Sequence, residues 1–179
     1  LSFIAANGSM SPMTKIRRSF EAGHRRKLLL VVDESAEVES ALYFAASRIA
    51  HTDGVIVMTY VIEPQAFQHW MGVRQVQVDE ETNKARALFR LFRRKLSLAG
   101  FDHVATEEVI REGNKAEKIV ELIEDDEDVA LLVLGAATDV KGPGPLVSSL
   151  AAGSHAGKFP VPITIVPGNL TLEAIRALA

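Results

Sequence analysis

Four short apolar runs, KLLLVV (27–32), VIVMTYVI (55–62), VALLVL (129–134) and VPITIV (161–166), constrain this chain more than any other feature. Each has the length of a strand and is apolar throughout instead of alternating, the pattern of strands covered on both faces. Segments with helical period separate them. SAEVESALYFAASRIA (35–50) sets Val38, Leu42, Ala45, Ala46 and Ile49 on one face, with Ser35 expected as its N-cap. Gly54 closes the turn into the second run. A connection over 63–78, carrying Pro64, leads to a helix expected at about 79–99. Ala85, Leu88, Phe92, Leu96 and Ala99 face inward there, Arg86, Arg90, Arg93 and Arg94 mostly outward, and Gly100 ends it. HVATEEVI (103–110) alternates less cleanly and reads as a strand near the sheet edge. Asn114 and Glu117 fit the cap and third position of a short helix whose apolar face is Ile119, Val120, Leu122 and Ile123. A helix over about 146–158 precedes the last run. The order βα, βα, βα, βα, β predicts a single-domain α/β fold, a doubly wound five-stranded parallel sheet with helices on both faces.

The 179 residues, 47% of them hydrophobic, suffice for one domain with a sizeable core. With 23 acidic against 20 basic side chains the net charge is -3, so no nucleic-acid field dominates the surface. The absence of cysteine excludes disulfides, thiolate metal sites and cysteine nucleophiles. No apolar run approaches the roughly 18 to 20 residues of a membrane span, so a soluble, cytoplasmic protein with no membrane partner is expected. Residues 1–24 begin with Leu and carry Asn7-Gly8-Ser9 ahead of Met10, which reads as a disordered or cloning-derived extension. Lys15, Arg17, Arg18, Arg25, Arg26 and Lys27 are expected to form a solvated basic arm, and the acidic run EDDED (124–128) a solvated turn. The domain is expected over 25–168, followed by a short tail, 169–179, that either docks as a helix or frays. His69, His103 and His155 lack the spacing of a metal site, and none is expected.

In a doubly wound sheet, ligands bind beyond the carboxyl ends of the strands where the winding direction reverses. The first strand ends in Asp33 and the fourth in Gly135. If these strands are neighbours, the Asp33 carboxylate accepts hydrogen bonds from a ribose while Gly135 lets backbone approach the sugar. Asp33 is otherwise a turn residue leading into a helix. The fourth strand runs into LGAATDVKGPGPLVSSL, a glycine-rich loop with small hydroxylated residues expected to open the next helix. Gly142 and Gly144 allow positive φ and hence a nest of N–H groups, Lys141 supplies a nearby charge, and Ser148 and Ser149 supply hydroxyls. Pro143 and Pro145 remove two donors and stiffen the loop, as in a structural turn. AFQHWMG (66–72), with Phe67, Trp70 and Met71, either folds over this crevice as a lid or packs onto the helices.

These residues resemble the universal stress protein family over about 26–167: VVDES after the first strand, REGNKAEKIVELIED leading to VALLVLG, the glycine loop, and the closing PVPITIVP. The resemblance implies strand order 3-2-1-4-5, which sets Asp33 beside Gly135, and an ATP site marked by Gly-x2-Gly-x9-Gly-Ser or Gly-Thr. Two registers exist. One matches Gly153-Ser154 with an insertion and shortens the helix before the last strand. The ungapped register keeps that helix and puts Thr138 and Ser148 at the second and third glycines and Ser149 at the hydroxyl. On it the resemblance implies a degenerate adenine-nucleotide site. Val31 and Val61 flank the base, Asp33 reaches the ribose, and Gly135, Thr138, Ser148 and Ser149 lie nearest the phosphates. AMP is then held better than ATP.

Two functions compete at this point. One is a dimeric stress protein that holds ATP or AMP and acts in the stress response by ligand-dependent interaction. The other is a dimeric interaction module whose pocket takes no nucleotide. An enzyme of the related adenylating folds would need His-x-Gly-His or Ser-Gly-Gly-x-Asp-Ser, and neither occurs; no catalytic residue is expected. The terminal strand, apolar on both faces, is expected to pair antiparallel with its copy over Val161 to Val166, as the resemblance also implies.

Overall fold

The computed structural model describes residues 15–65, 71–153, 157 and 159–179. Five strands, β1 (Lys27–Val31), β2 (Val55–Ile62), β3 (Ala105–Glu112), β4 (Val129–Ala136) and β5 (Ile163–Pro167), form one sheet in the order β3-β2-β1-β4-β5. Every pairing is parallel, as expected. All eight residues of β2 are buried, which accounts for its unbroken apolar run. Helices α1 (Val38–Ile49) and α2 (Met71–Leu98) cover one face, packing Leu42, Ile49, Phe89 and Leu96 over Leu28, Leu30, Ile56 and Met58. Helices α3 (Lys115–Asp125) and α4 (Pro145–Ala151) cover the other, with Ile119, Ile123 and Leu150 over Leu29, Val57, Leu132 and Leu134.

Several boundaries differ from the sequence expectation, each for a local reason. Ser35 does not cap α1. Its N–H donates to Asp33 Oδ1 at 2.8 Å in a side-chain turn, and the helix begins three residues later behind Glu37. The connection 63–78 is helical from Met71 onward, making α2 28 residues long. These first turns hid because they have no buried face; Gln75–Asp79 and Arg74–Glu112 contacts line them instead. The expected helix over 146–158 is the seven-residue α4, which stops at Ala151. Gly153 lies so close to the helix end that a Cβ there would sit 2.3 Å from Ser149 O. Asn114 caps α3 as expected, accepting from Glu117 N–H at 3.1 Å.

Both ends of the described chain pack against the domain. The basic arm, from Lys15 on, is not simply solvated, because α3 presents its unpaired C-terminal carbonyls and the acidic run to it. Arg17 donates to Ile123 O at 2.6 Å and to Asp126 O at 3.2 Å, and Lys15 Nζ donates to Glu124 O at 3.2 Å. Arg18 N–H donates to Glu127 O, and His24 Nδ1 lies 2.6 Å from Asp128 Oδ1. Lys27 Nζ bridges Asp126 and Glu107 at 2.9 and 3.0 Å. The EDDED turn is therefore an ion-paired seam. At the other end the tail docks as a helix, α5 (Leu172–Leu178), capped by Thr171 and pinned by the fully buried Ile175. Asn7-Gly8-Ser9 and Met10 lie outside the described residues.

Candidate functional site

The order of the sheet makes β1 and β4 neighbours whose following segments diverge, β1 feeding α1 on one face and β4 feeding α4 on the other. A crevice results at their carboxyl ends. A cavity of about 70 Å³ occupies it, and Val31, Asp33, Gly135 and Gly144 share its wall with Lys115, Pro145 and Leu146. Lys115, Pro145 and Leu146 also line a wider adjoining groove of about 360 Å³, reached by Glu63, Asn114 and Ser149. Four expected site residues, Asp33, Val31, Gly135 and Gly144, thus converge. Ser149 opens onto the groove only. Val61 is buried within β2, Thr138 is exposed, and neither these two nor Gly142 nor Ser148 lines the small cavity.

The sequence missed Lys115. As the first residue of α3 it stands at the carboxyl edge of the sheet, half-buried, and lines both the cavity and the groove, whereas the charge expected there, Lys141, is exposed. The signal was available. Residues directly after any strand of a parallel sheet emerge at the same edge, and GNKAE follows the third.

The loop after β4 spends its donors on itself. Ala137 N–H donates to Pro143 O at 3.2 Å, Lys141 N–H to Asp139 Oδ1 at 2.8 Å, and Gly142 N–H to Asp139 O at 3.4 Å. Gly142 and Gly144 do adopt positive φ, +108° and +102°, yet the Gly142 donor is turned inward. Ser148 and Ser149 do not open α4. The helix starts at Pro145, whose fixed φ suits a first helical position, behind Gly144. Ser148 lies one turn in, its hydroxyl donating back to Gly144 O at 3.0 Å. With Pro145 lacking an N–H, Leu146 and Val147 carry the first-turn donors that have no intrahelical acceptor.

Packing alone requires glycine at position 135. A Cβ built there would lie 2.5 Å from Glu37 O and 2.8 Å from Glu37 C, and at Gly168 it would lie 2.7 Å from Glu37 Cβ. The start of α1 is wedged between these two glycines. On the α2 side, Lys84 joins Glu81 at 2.9 Å and Glu34 at 3.3 Å, and Tyr60 donates its hydroxyl to Glu81. Burial and then the Glu81 hydrogen bond push the Tyr60 hydroxyl well above the ordinary phenol range. The Tyr60 hydroxyl and then Lys84 hold the Glu81 carboxyl below the usual carboxylate range. This network ties the loop after β1 to α2. Phe67, His69 and Trp70 lie outside the described residues, as do Ser154 and His155; Met71 opens α2 and is 90% exposed. His103 Nε2 contacts Ala50 O at 3.2 Å, and among the described residues no group of three metal-ligating side chains gathers.

The sequence profile of the universal stress protein family matches residues 24–167. The chain belongs to this family. Among solved structures it is similar to the universal stress protein UspA from Lactobacillus plantarum, with 18% identity, TM-score 0.59, and coverage of 79% of this chain and 97% of that one. It is also similar to a universal stress protein in complex with cAMP, at 18% identity and TM-score 0.55, covering 79% and 96% of the two chains. A universal stress protein family protein from Arabidopsis thaliana with AMP bound matches at 17% identity and TM-score 0.54, covering 79% and 91%. No curated protein sequence matches at a significant level. Among the described residues no helix of this universal stress protein is long and apolar enough to cross a membrane.

Proposed function

We propose that this universal stress protein is a cytoplasmic homodimer that takes an adenine nucleotide, AMP in preference to ATP, and acts in the stress response through ligand-dependent interaction, without turnover. The observation that carries the reading is the convergence of Asp33, Val31, Gly135 and Gly144 on one crevice beside Lys115. Asp33 Oδ1 is engaged by Ser35, so the second carboxylate oxygen is the one offered to a ribose hydroxyl. Val31 and Val61 supply apolar contact for the base, and Gly135 a close approach for the sugar. The phosphate end falls to Lys115, Gly144 and the Leu146 and Val147 N–H groups, with Thr138, Gly142, Ser148 and Ser149 at its margin. That supply suits one phosphate better than three, since the loop's own hydrogen bonds and two prolines leave few donors. Two solved relatives with AMP and cAMP bound support the class of ligand.

Calorimetry with AMP and ATP tests the reading. AMP binding that weakens at least tenfold in both Asp33→Ala and Lys115→Ala supports it, and tighter binding of ATP than of AMP opposes it. The dimer is proposed through β5, which pairs only with β4 and leaves Ile165 41% exposed on the outer edge. Of the expected span Val161 to Val166, Val161 is buried and precedes the strand, so the pairing falls on Ile163 to Val166 and the same residues of the copy. A monomeric mass at micromolar concentration would exclude it.

A second reading, the nucleotide-free interaction module, has its own observation. The cavity of about 70 Å³ is well below the roughly 300 Å³ at which ligand pockets begin, so a nucleotide must spread into the adjoining groove or displace the glycine loop. Thermal stabilisation by excess AMP separates the two readings, because a ligand that binds only the folded state raises its stability.

A further inference from the structure

We infer that the outer face of the C-terminal half of α2 is a docking surface for an anionic lipid membrane, touched from the water side and not spanned. The nucleotide reading makes no use of this face. From Arg86 to Leu98 the helix reads RALFRLFRRKLSL, with no acidic residue. Phe89, Phe92 and Leu96 hold it to the sheet. On the opposite side Arg86, Arg90 and Arg94 are exposed and recur every four residues, so successive guanidinium groups advance about 40° around the axis and form one ridge. None of the three has an ion-pair partner among the described residues, whereas Arg93 pairs with Glu108 and Lys95 with Glu39.

Alongside this ridge, Leu91 and Leu98, seven residues apart, are 45% and 79% exposed and serve no part of the core. Exposed leucines interleaved with unpaired arginines are what the headgroup and acyl boundary takes, apolar tips inward and long cations reaching the phosphates. A polyanion such as single-stranded nucleic acid would use the arginines and gain nothing from the leucines. The rest of the molecule favours one orientation. The chain as a whole is net acidic at -3, whereas the segment from Arg86 to Leu98 carries five cations and no acid, so an anionic surface is drawn to this face of the molecule. In the opposite layer the carboxylates of α3 are met by Lys118 and by the basic arm.

Each arginine near an anionic leaflet contributes about fivefold in partition, so removing three lowers it about 100-fold. The test is co-sedimentation of the full chain with vesicles of phosphatidylcholine alone and of phosphatidylcholine mixed with phosphatidylglycerol. Binding is expected to the mixed vesicles only, and to weaken as salt rises. Arg86→Gln/Arg90→Gln/Arg94→Gln should lower it about 100-fold, and Leu91→Ser/Leu98→Ser should weaken it severalfold. All five side chains are exposed, so both variants should melt at the wild-type temperature. Equal binding to neutral vesicles, no binding to anionic ones, or a triple variant that binds unchanged overturns the inference. So does tighter binding of a single-stranded oligonucleotide that ignores the leucine substitutions, which would make the ridge a polyanion site.

Discussion

Gly135→Ala separates packing from the proposed nucleotide site at a position that packing alone reserves for glycine. The added methyl would meet Glu37 O at 2.5 Å and Glu37 C at 2.8 Å, closer than non-bonded carbon and oxygen tolerate. Neither side yields easily. β4 is hydrogen-bonded to β1 on one side and β5 on the other, and the start of α1 is held by the Ser40 hydroxyl, which donates to Gly168 O at 3.1 Å and Leu170 O at 2.9 Å. Gly135 is not among the glycines at positive φ, so the backbone itself accepts alanine. Overpacking of this kind costs about 1–3 kcal/mol, and the lower entropy of the unfolded alanine chain returns about 0.4–1 kcal/mol. A net loss of about 1–2 kcal/mol is expected, several degrees in melting temperature for a domain of this size. Urea denaturation without nucleotide reads it as a lower midpoint at unchanged slope. If the midpoint does not move and only AMP affinity falls, the wedge of α1 against β4 is not why this residue is glycine, and the steric reasoning fails.

Other outcomes follow from single contacts. Asn114→Ala removes the acceptor of the Glu117 N–H and should cost about 1 kcal/mol in a urea melt, with Asn114→Ser losing much less. Arg17→Ala removes the cation from the carbonyl end of α3 and should cost about 1–2 kcal/mol while speeding tryptic cleavage at Arg18; an unchanged cleavage rate would mean that the Lys15, Arg18 and His24 contacts hold the arm without Arg17. Glu81 is held below its ordinary pKa in the folded state, so its contribution is fully present above the unfolded glutamate value and is lost as pH falls through the depressed folded value. Glu81→Gln should therefore flatten the acid side of the stability profile. Tyr60 has the opposite sign: its pKa is raised, its contribution is present below the unfolded phenol value and is lost as pH rises past it, and Tyr60→Phe should flatten the alkaline side.

The central strands were legible because burial on both faces narrows the choice of residue, and β2, buried at every position, is the plainest case, while the half-exposed edge strand β3 shows the weaker pattern. α3 was legible for a similar reason, since its cap and its inward residues Ile119, Leu122 and Ile123 obey a spacing that tertiary packing only reinforces. What the sequence hid was structure held by charge and not by apolar period. The first turns of α2 bury no face, and the arm from Lys15 to His24 is fixed by carbonyls of α3 and carboxylates some hundred residues distant, a pairing no local pattern encodes. The glycine loop shows the same limit at the candidate site. Counting from Gly135 sets Ser148 at a helix start, but Gly144 and Pro145 start that helix because a left-handed glycine followed by a proline of fixed φ is the better opening, and sequence spacing is blind to that competition. Lys115 escaped because the loop after β4 drew attention by its composition, while the edge of a parallel sheet is built from every strand end. In such a fold the ligand crevice is a property of topology, and its charge comes from whichever helix begins there.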